Sequence, residues 1–223
     1  MKQLSFNFPF QDNYPAEDFV VSDENSDAFN FISKYNFSDP LKFPKIFAIY
    51  GSNCSGKTHL SHIWQKKSKA RFIDIEKLQN VDFGNYIEAN KSYVIEDIDK
   101  IFNQVALFHI FNIICEKEAH LLITSSVNLN LIEYSFADLE SRLKNVFSIQ
   151  IKEPNSDLIK ILLVKNFSNR QLKVENKVID YIAKNIDRHF EAISNISRML
   201  EFYCFEEKRK ITIPFVSEVM ERV

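Results

Sequence analysis

The chain has 223 residues, 45% of them hydrophobic and 26% charged, which is enough to bury a core and too apolar for a disordered polypeptide. A formal charge of −2 excludes a basic field that would hold nucleic acid by net charge alone, leaving room only for a local basic face. Three cysteines, Cys54, Cys115 and Cys204, form neither an even set nor a metal-ligand spacing, so a disulfide framework or zinc module is excluded and a reduced cytosol is the natural setting.

The N-terminus, Met1 to Ser5, carries no apolar signal core. Residues 1–17 read as a flexible tail and linker, with Pro9, Pro15 and a polar centre at Gln11-Asp12-Asn13. From residue 43, short apolar runs alternate with helical patterns. Ile46 to Tyr50 reads as a buried strand, and a helix follows from Lys57 to about Lys67. Arg71 to Asp74 and Ser92 to Ile95 read as the second and third strands. Leu107, Phe108, Phe111 and Ile114 set a helix over Gln104 to Glu118. His120 to Thr124 and Phe147 to Ile151 complete five strands. Strands that alternate with helices and are continuously apolar predict an α/β fold: a parallel sheet covered on both faces. After Pro154 only helical periodicity remains, in patterns starting near Leu158, Val174, Phe190 and Val216. The expected organisation is a tail over 1–17, an α/β nucleotide-binding domain over 18–153 and a small helical lid over 154–223. The longest apolar stretch, Val105 to Cys115, is interrupted by His109 and Asn112 and is too short to span a bilayer, so a cytoplasmic protein is expected.

Gly51-Ser52-Asn53-Cys54-Ser55-Gly56-Lys57-Thr58 fits G-x-x-x-x-G-K-[ST] between a predicted strand and a predicted helix, the context that a phosphate-binding loop requires. Glycines let backbone N–H groups turn toward phosphate oxygens, and the helix N-terminus adds positive potential. Lys57 suits the β- and γ-phosphates, and the Thr58 hydroxyl suits Mg²⁺. The chain has three glycines and two of them sit at the two motif positions, which weighs against a chance match. His59 and His62 follow on the helix and read as packing or solvent-facing residues, with His59 close enough to count among the nucleotide contacts. Cys54 lies in the loop, but nothing else in the sequence supports a redox role. The third strand ends in Glu96-Asp97-Ile98-Asp99, a carboxylate tip that suits a magnesium ligand (Glu96) and an acid that orients an attacking water (Asp97). The bland alternative is a solvated strand end with Asp99 capping a helix.

These features together resemble the AAA+ ATPases, and three segments narrow the resemblance to the DnaA family and its Hda branch. Asp18-Phe19-Val20-Val21 with Asn25 is similar to the family's lead-in segment, which implies that Phe19 and Val20 pack near an adenine. Leu121 to Ser126 is similar to the sensor 1 strand, which puts Ser126 at the sensor position. Asp138-Leu139-Glu140-Ser141-Arg142-Leu143 resembles the arginine-finger box, which implies that Arg142 acts on a neighbouring subunit's nucleotide; the alternative is an intramolecular ion pair. Lys210 to Val216 also resembles the Hda branch. A full initiator of this family carries a DNA-binding domain beyond the lid, and the sequence ends after the lid, so a regulator rather than an initiator is expected.

Gln3-Leu4-Ser5-Phe6-Asn7-Phe8 resembles a sliding-clamp-binding hexapeptide, with Gln3, Leu4, Phe6 and Phe8 as the contact residues and Phe in place of the usual aliphatic at two positions. Three other positions depart from the initiator pattern: Glu96 replaces Asp, Ser126 replaces a longer polar side chain, and Glu191 falls where the sensor 2 arginine is expected, with Arg188 nearby as a substitute. The resemblance therefore implies ADP or ATP with Mg²⁺ as cofactors, slow or no turnover by the chain itself, and the sliding clamp and DnaA as partners, with DNA contacted only indirectly. Two other readings stay open: a helicase-loader-type P-loop ATPase, and a clamp-tethered adaptor that contributes nothing to catalysis.

Overall fold

A computed structural model describes residues 14–77 and 83–222. Five strands, β1 (Ile46–Tyr50), β2 (Arg71–Phe72), β3 (Ser92–Ile95), β4 (His120–Ser125) and β5 (Phe147–Gln150), form one parallel sheet in the order β2-β3-β4-β1-β5. Alternate residues of each strand serve opposite faces. Ala48, Tyr93, Ile95, Leu121 and Ile123 join a core with helices α4 (Gln104–Glu116) and α5 (Ala137–Lys144). Phe47, Ile49, Val94 and Leu122 join a second core with α1 (Ser26–Lys34) and α2 (Lys57–Ser68), around the fully buried Trp64. This double coverage is why the strand sequences are apolar throughout rather than alternating.

The parallel register brings the carboxyl ends of the strands to one edge. Tyr50 pairs with Ser125 on one side and Gln150 on the other, and Ile95 pairs with Ile123. The phosphate-loop sequence, the acidic tip and Ser126 therefore leave the sheet side by side, where open α/β sheets place their ligands.

After β5, helices α6 (Ser156–Asn169), α7 (Asn176–Asn185), α8 (Phe190–Glu207) and α9 (Ile213–Met220) enclose a separate apolar core that includes Leu163, Phe167, Ile182, Leu200 and Phe215. Arg209 and Arg222 each bridge Glu207 and Glu218, and they lie over the Phe215 and Tyr203 rings at 4.6 and 4.8 Å, tying the end of α8 to α9. The C-terminal helices and all five strands fall where periodicity puts them. Two differences stand out. Helix α1 is absent from the sequence reading because its polar run of Ser, Asp and Asn masks the buried Ala28 and Ile32 four residues apart. The helix before β3, α3 (Phe83–Tyr86), is a single turn, too short for a periodic signal. Among the described residues no helix is long and apolar enough to cross a membrane.

A candidate nucleotide site at the carboxyl edge of the sheet

The loop between β1 and α2 is shaped by its two glycines. Gly56 has φ +96°, a conformation that side chains resist, and a Cβ there would stand 3.0 Å from the Phe19 ring. A Cβ on Gly51 would stand 2.9 Å from the Ile151 carbonyl oxygen. Cys54 takes the left-handed conformation as well, with φ 63°. Lys57 opens α2 and is buried; its Nζ donates to the carbonyls of Gly51 at 2.7 Å and Ser52 at 2.9 Å, so one of the ammonium's three donors is left for an anion. Burial lowers its pKa, against the raising effect of Asp97 and Asp99. Ser52 and Ser55 each bury a hydroxyl oxygen that has no partner in the protein. Unpartnered hydroxyls, a backbone crowded against Phe19 and Ile151, and a helix N-terminus at the mouth suit a polyphosphate. Asn53 and Thr58 are exposed at the loop's rim.

Beside the loop lies a cavity of about 150 Å³. One wall is Phe19, Val20 and Asn25, a second is Cys54, Ser55, Gly56 and His59, and the lid supplies Leu158, Leu162, Lys165, Asn166 and Phe190. Asn25 holds the lead-in segment in shape by accepting the Ser22 N–H and donating to the Val20 carbonyl, both at 2.9 Å. Phe19 is fixed by a parallel stack on Phe29 at 5.5 Å. His59 Nε2 lies 2.8 Å from the Pro15 carbonyl oxygen, and burial pushes its pKa below the ordinary histidine value. His62 packs instead against Tyr14, with ring centroids 4.5 Å apart. The lid meets the lead-in segment directly, because Lys165 Nζ donates to the Asp18 carbonyl.

The acidic tip and Ser126 form a second constellation. Asp97 has φ 50°, and its N–H donates to Thr124 Oγ1 at 3.0 Å while its carboxylate pairs with Lys100 at 2.9 Å. Glu96 buries one carboxylate oxygen without a partner. Asp99 does not cap a helix; Asp97 precedes the short turn Ile98–Lys100, and the Asp99 carboxylate accepts both the N–H of Ser126, at 3.0 Å, and its hydroxyl. Burial raises the Asp99 carboxyl, but the Ser126 bonds outweigh it and hold the group below its ordinary value. The Ser126 hydroxyl therefore spends its one proton on Asp99 and has none to donate to a phosphate. Among the described residues no group of three or more His, Cys, Asp or Glu is gathered for a metal, so an ion at Thr58 and Glu96 would depend on nucleotide oxygens, as Mg²⁺ does.

Arg142 lies within α5, and its Nε pairs with Asp138 at 3.1 Å along the same helix. Arg188 and Glu191 are both exposed, Arg188 just ahead of α8 and Glu191 in its first turn, and neither lines the cavity. Gln3, Leu4, Phe6 and Phe8 lie outside the described residues. The structure thus gathers Phe19, Val20, Cys54, Ser55, Gly56 and His59 around one cavity and places Glu96, Asp97 and Ser126 at the neighbouring strand ends. Sequence reasoning missed the lid wall, Asp99 as the partner of Ser126, and Thr124 as the hydroxyl that fixes Asp97. The residue types were visible; the register that makes Thr124 and Ser126 neighbours of Asp97 and Asp99 was not.

Residues 157–220 match the family model of the Hda lid domain. Over 99% of its length the chain is 28% identical to the chromosomal replication initiator protein DnaA of Buchnera aphidicola subsp. Cinara cedri, covering 55% of that protein; it spans about half the length of the curated relatives it matches. Its fold is similar to domain III of the Thermotoga maritima replication initiation protein DnaA, with a TM-score of 0.73 at 19% identity over 96% of this chain and 98% of that one. It is also similar to AMPPCP-bound DnaA from Aquifex aeolicus, with a TM-score of 0.62 at 21% identity over 86% of this chain and 66% of that one.

Proposed function

We propose that this DnaA-like chain is an Hda-like regulator of replication initiation that holds an adenine nucleotide and stimulates hydrolysis of ATP bound to DnaA. The observation that carries this reading is the pairing of a loop suited to polyphosphate with an Hda-type lid that closes the same cavity. Gly51 to Thr58 cradle the phosphates, Phe19, Val20 and His59 flank the base, and Thr58 with Glu96 would hold Mg²⁺. The metal, when bound, neutralises charge on the phosphate oxygens. The chain's own turnover is slow or nil on this reading, because the Ser126 hydroxyl is committed to Asp99 and Asp97 is paired with Lys100.

The productive chemistry takes place on the partner. Arg142, half-exposed on α5, would leave Asp138 for the partner's γ-phosphate, where a guanidinium suits the charge spread over the transferring group. Residues 3–8 tether the protein to the sliding clamp and raise its effective concentration near newly replicated DNA. The test is a purified reaction containing the protein, DNA-loaded clamp and DnaA carrying ATP. Acceleration of hydrolysis that is lost in Arg142→Ala supports the proposal, and no acceleration by the natural chain sinks it.

The Arg142–Asp138 pair favours one second reading, an adaptor that brings DnaA to the clamp without contributing to catalysis. That reading requires Arg142→Ala to be silent while deletion of residues 1–8 abolishes function.

A further inference from the structure

His59 is one of the polar groups around the cavity beside the loop over 51–58, which it lines with Phe19, Val20 and Lys165. Its Nε2 lies 2.8 Å from the Pro15 carbonyl oxygen. A carbonyl only accepts, so the ring carries its proton on Nε2. Burial lowers the pKa of His59, and the Lys165 charge adds to the effect, so the ring is neutral at physiological pH and Nδ1 keeps a lone pair that Pro15 does not use. The ring is also held in place. Phe19 meets it edge-on at 5.2 Å, Tyr14 lies tilted against it at 5.3 Å, and Phe19 is itself stacked on Phe29.

The lid supplies a donor to the same cavity. Lys165 Nζ gives one N–H to the Asp18 carbonyl and keeps two. An acceptor from α2 and a donor from α6 match adenine, whose 6-amino donor stands beside the N7 acceptor. Guanine and hypoxanthine carry O6 in that place, an acceptor beside an acceptor. Lys165 can serve either kind of base. The His59 lone pair accepts from the amino group and repels O6, and a site built to bond one group rejects a base that leaves its acceptor unmatched.

Resting on the reading of this cavity as the place of a nucleotide's base, we propose that His59 selects adenine, its Nδ1 accepting from the 6-amino group while the Pro15 carbonyl sets the tautomer that makes this possible. His59 is then a specificity-determining residue rather than a packing one, and the segment ahead of α1 acts on base choice through it.

The test measures displacement of a ribose-labelled ADP from the full chain by ADP and by inosine diphosphate, which carries an oxygen in place of the 6-amino group. The natural chain should favour ADP by at least about tenfold, and His59→Phe, which keeps a ring against Phe19 and Tyr14 but has no acceptor, should bring the ratio to within about threefold. If His59→Phe lowers the melting temperature, His59→Leu makes the same test with a smaller side chain. His59→Asn, whose side-chain oxygen falls about where Nδ1 stands, should recover part of the preference. A merely structural histidine would weaken both nucleotides alike and leave the ratio where it was. Equal affinity of the natural chain for the two, or a ratio unchanged by removal of the acceptor, would overturn the inference and leave nucleotide binding standing. Failure of labelled ADP to bind the natural chain would overturn the nucleotide reading and the inference with it.

Discussion

Replacing Gly56 with alanine probes the coupling between the Gly51–Thr58 loop and the cavity beside it. The position has φ +96°, and an L-residue in the left-handed region costs about 1–2 kcal/mol. The new Cβ would also meet the Phe19 ring at 3.0 Å, and that ring cannot swing freely because it stacks on Phe29 with 4° between the planes. Overpacking of this kind costs about 1–3 kcal/mol. Relaxation moves either the loop or Phe19, and both belong to the same site, so the cost is shared between folding and nucleotide affinity. We expect affinity for a fluorescent adenine nucleotide to fall by at least about tenfold, which corresponds to about 1.4 kcal/mol, with a lower denaturation midpoint in the apo chain. Phe19→Leu combined with Gly56→Ala should recover part of the stability, because the smaller side chain can yield. Binding within about twofold of the natural chain, with an unchanged midpoint, would refute the reasoning that the glycine is required by the Phe19 contact.

Lys57→Ala removes a donor from the loop carbonyls as well as from the phosphates; titration with the same nucleotide should show a loss of at least about tenfold, in line with about 1.5–3 kcal/mol for a charged hydrogen bond. Asp99→Ala frees Ser126 and should lower stability by about 1 kcal/mol in denaturant melts, a figure reduced for the partial exposure of Asp99; an unchanged midpoint would mean that the Ser126 contacts carry no weight. His59 is held below its ordinary pKa by burial, so the unfolded chain takes up a proton first, and the stability present above about pH 6.5 is lost as pH falls through the folded value. His120 behaves alike; the denaturation midpoint should therefore drop between pH 7 and 5, and His59→Gln should flatten part of that slope, whereas an identical slope in the variant would count against the assignment.

Much of this site was legible because its signals are local. The loop Gly51 to Thr58 is contiguous, and its glycines answer to backbone geometry that the structure displays at Gly56. The apolar strands and the helical lid follow from periodicity, which needs only near neighbours. What stayed hidden depends on register and distance. Asp99 and Ser126 are 27 residues apart and meet only because β3 and β4 run parallel in one register. Lys165 reaches Asp18 across 147 positions of sequence. Arg142 has Asp138 as an i,i+4 partner within α5, the intramolecular pair that spacing alone allows; whether it can leave that pair is not a local signal.

On the proposed function, this chain holds one nucleotide while acting on another. Labelled ATP on DnaA with unlabelled nucleotide on this chain, and then the reverse, separates the two sites in a single assay with DNA-loaded clamp. Label on DnaA should be converted to ADP faster, the gain should be lost in Arg142→Ala, and label on this chain should persist. Steady hydrolysis of the label carried by this chain, with no change in the label on DnaA, would contradict it and identify a self-contained ATPase of the helicase-loader type.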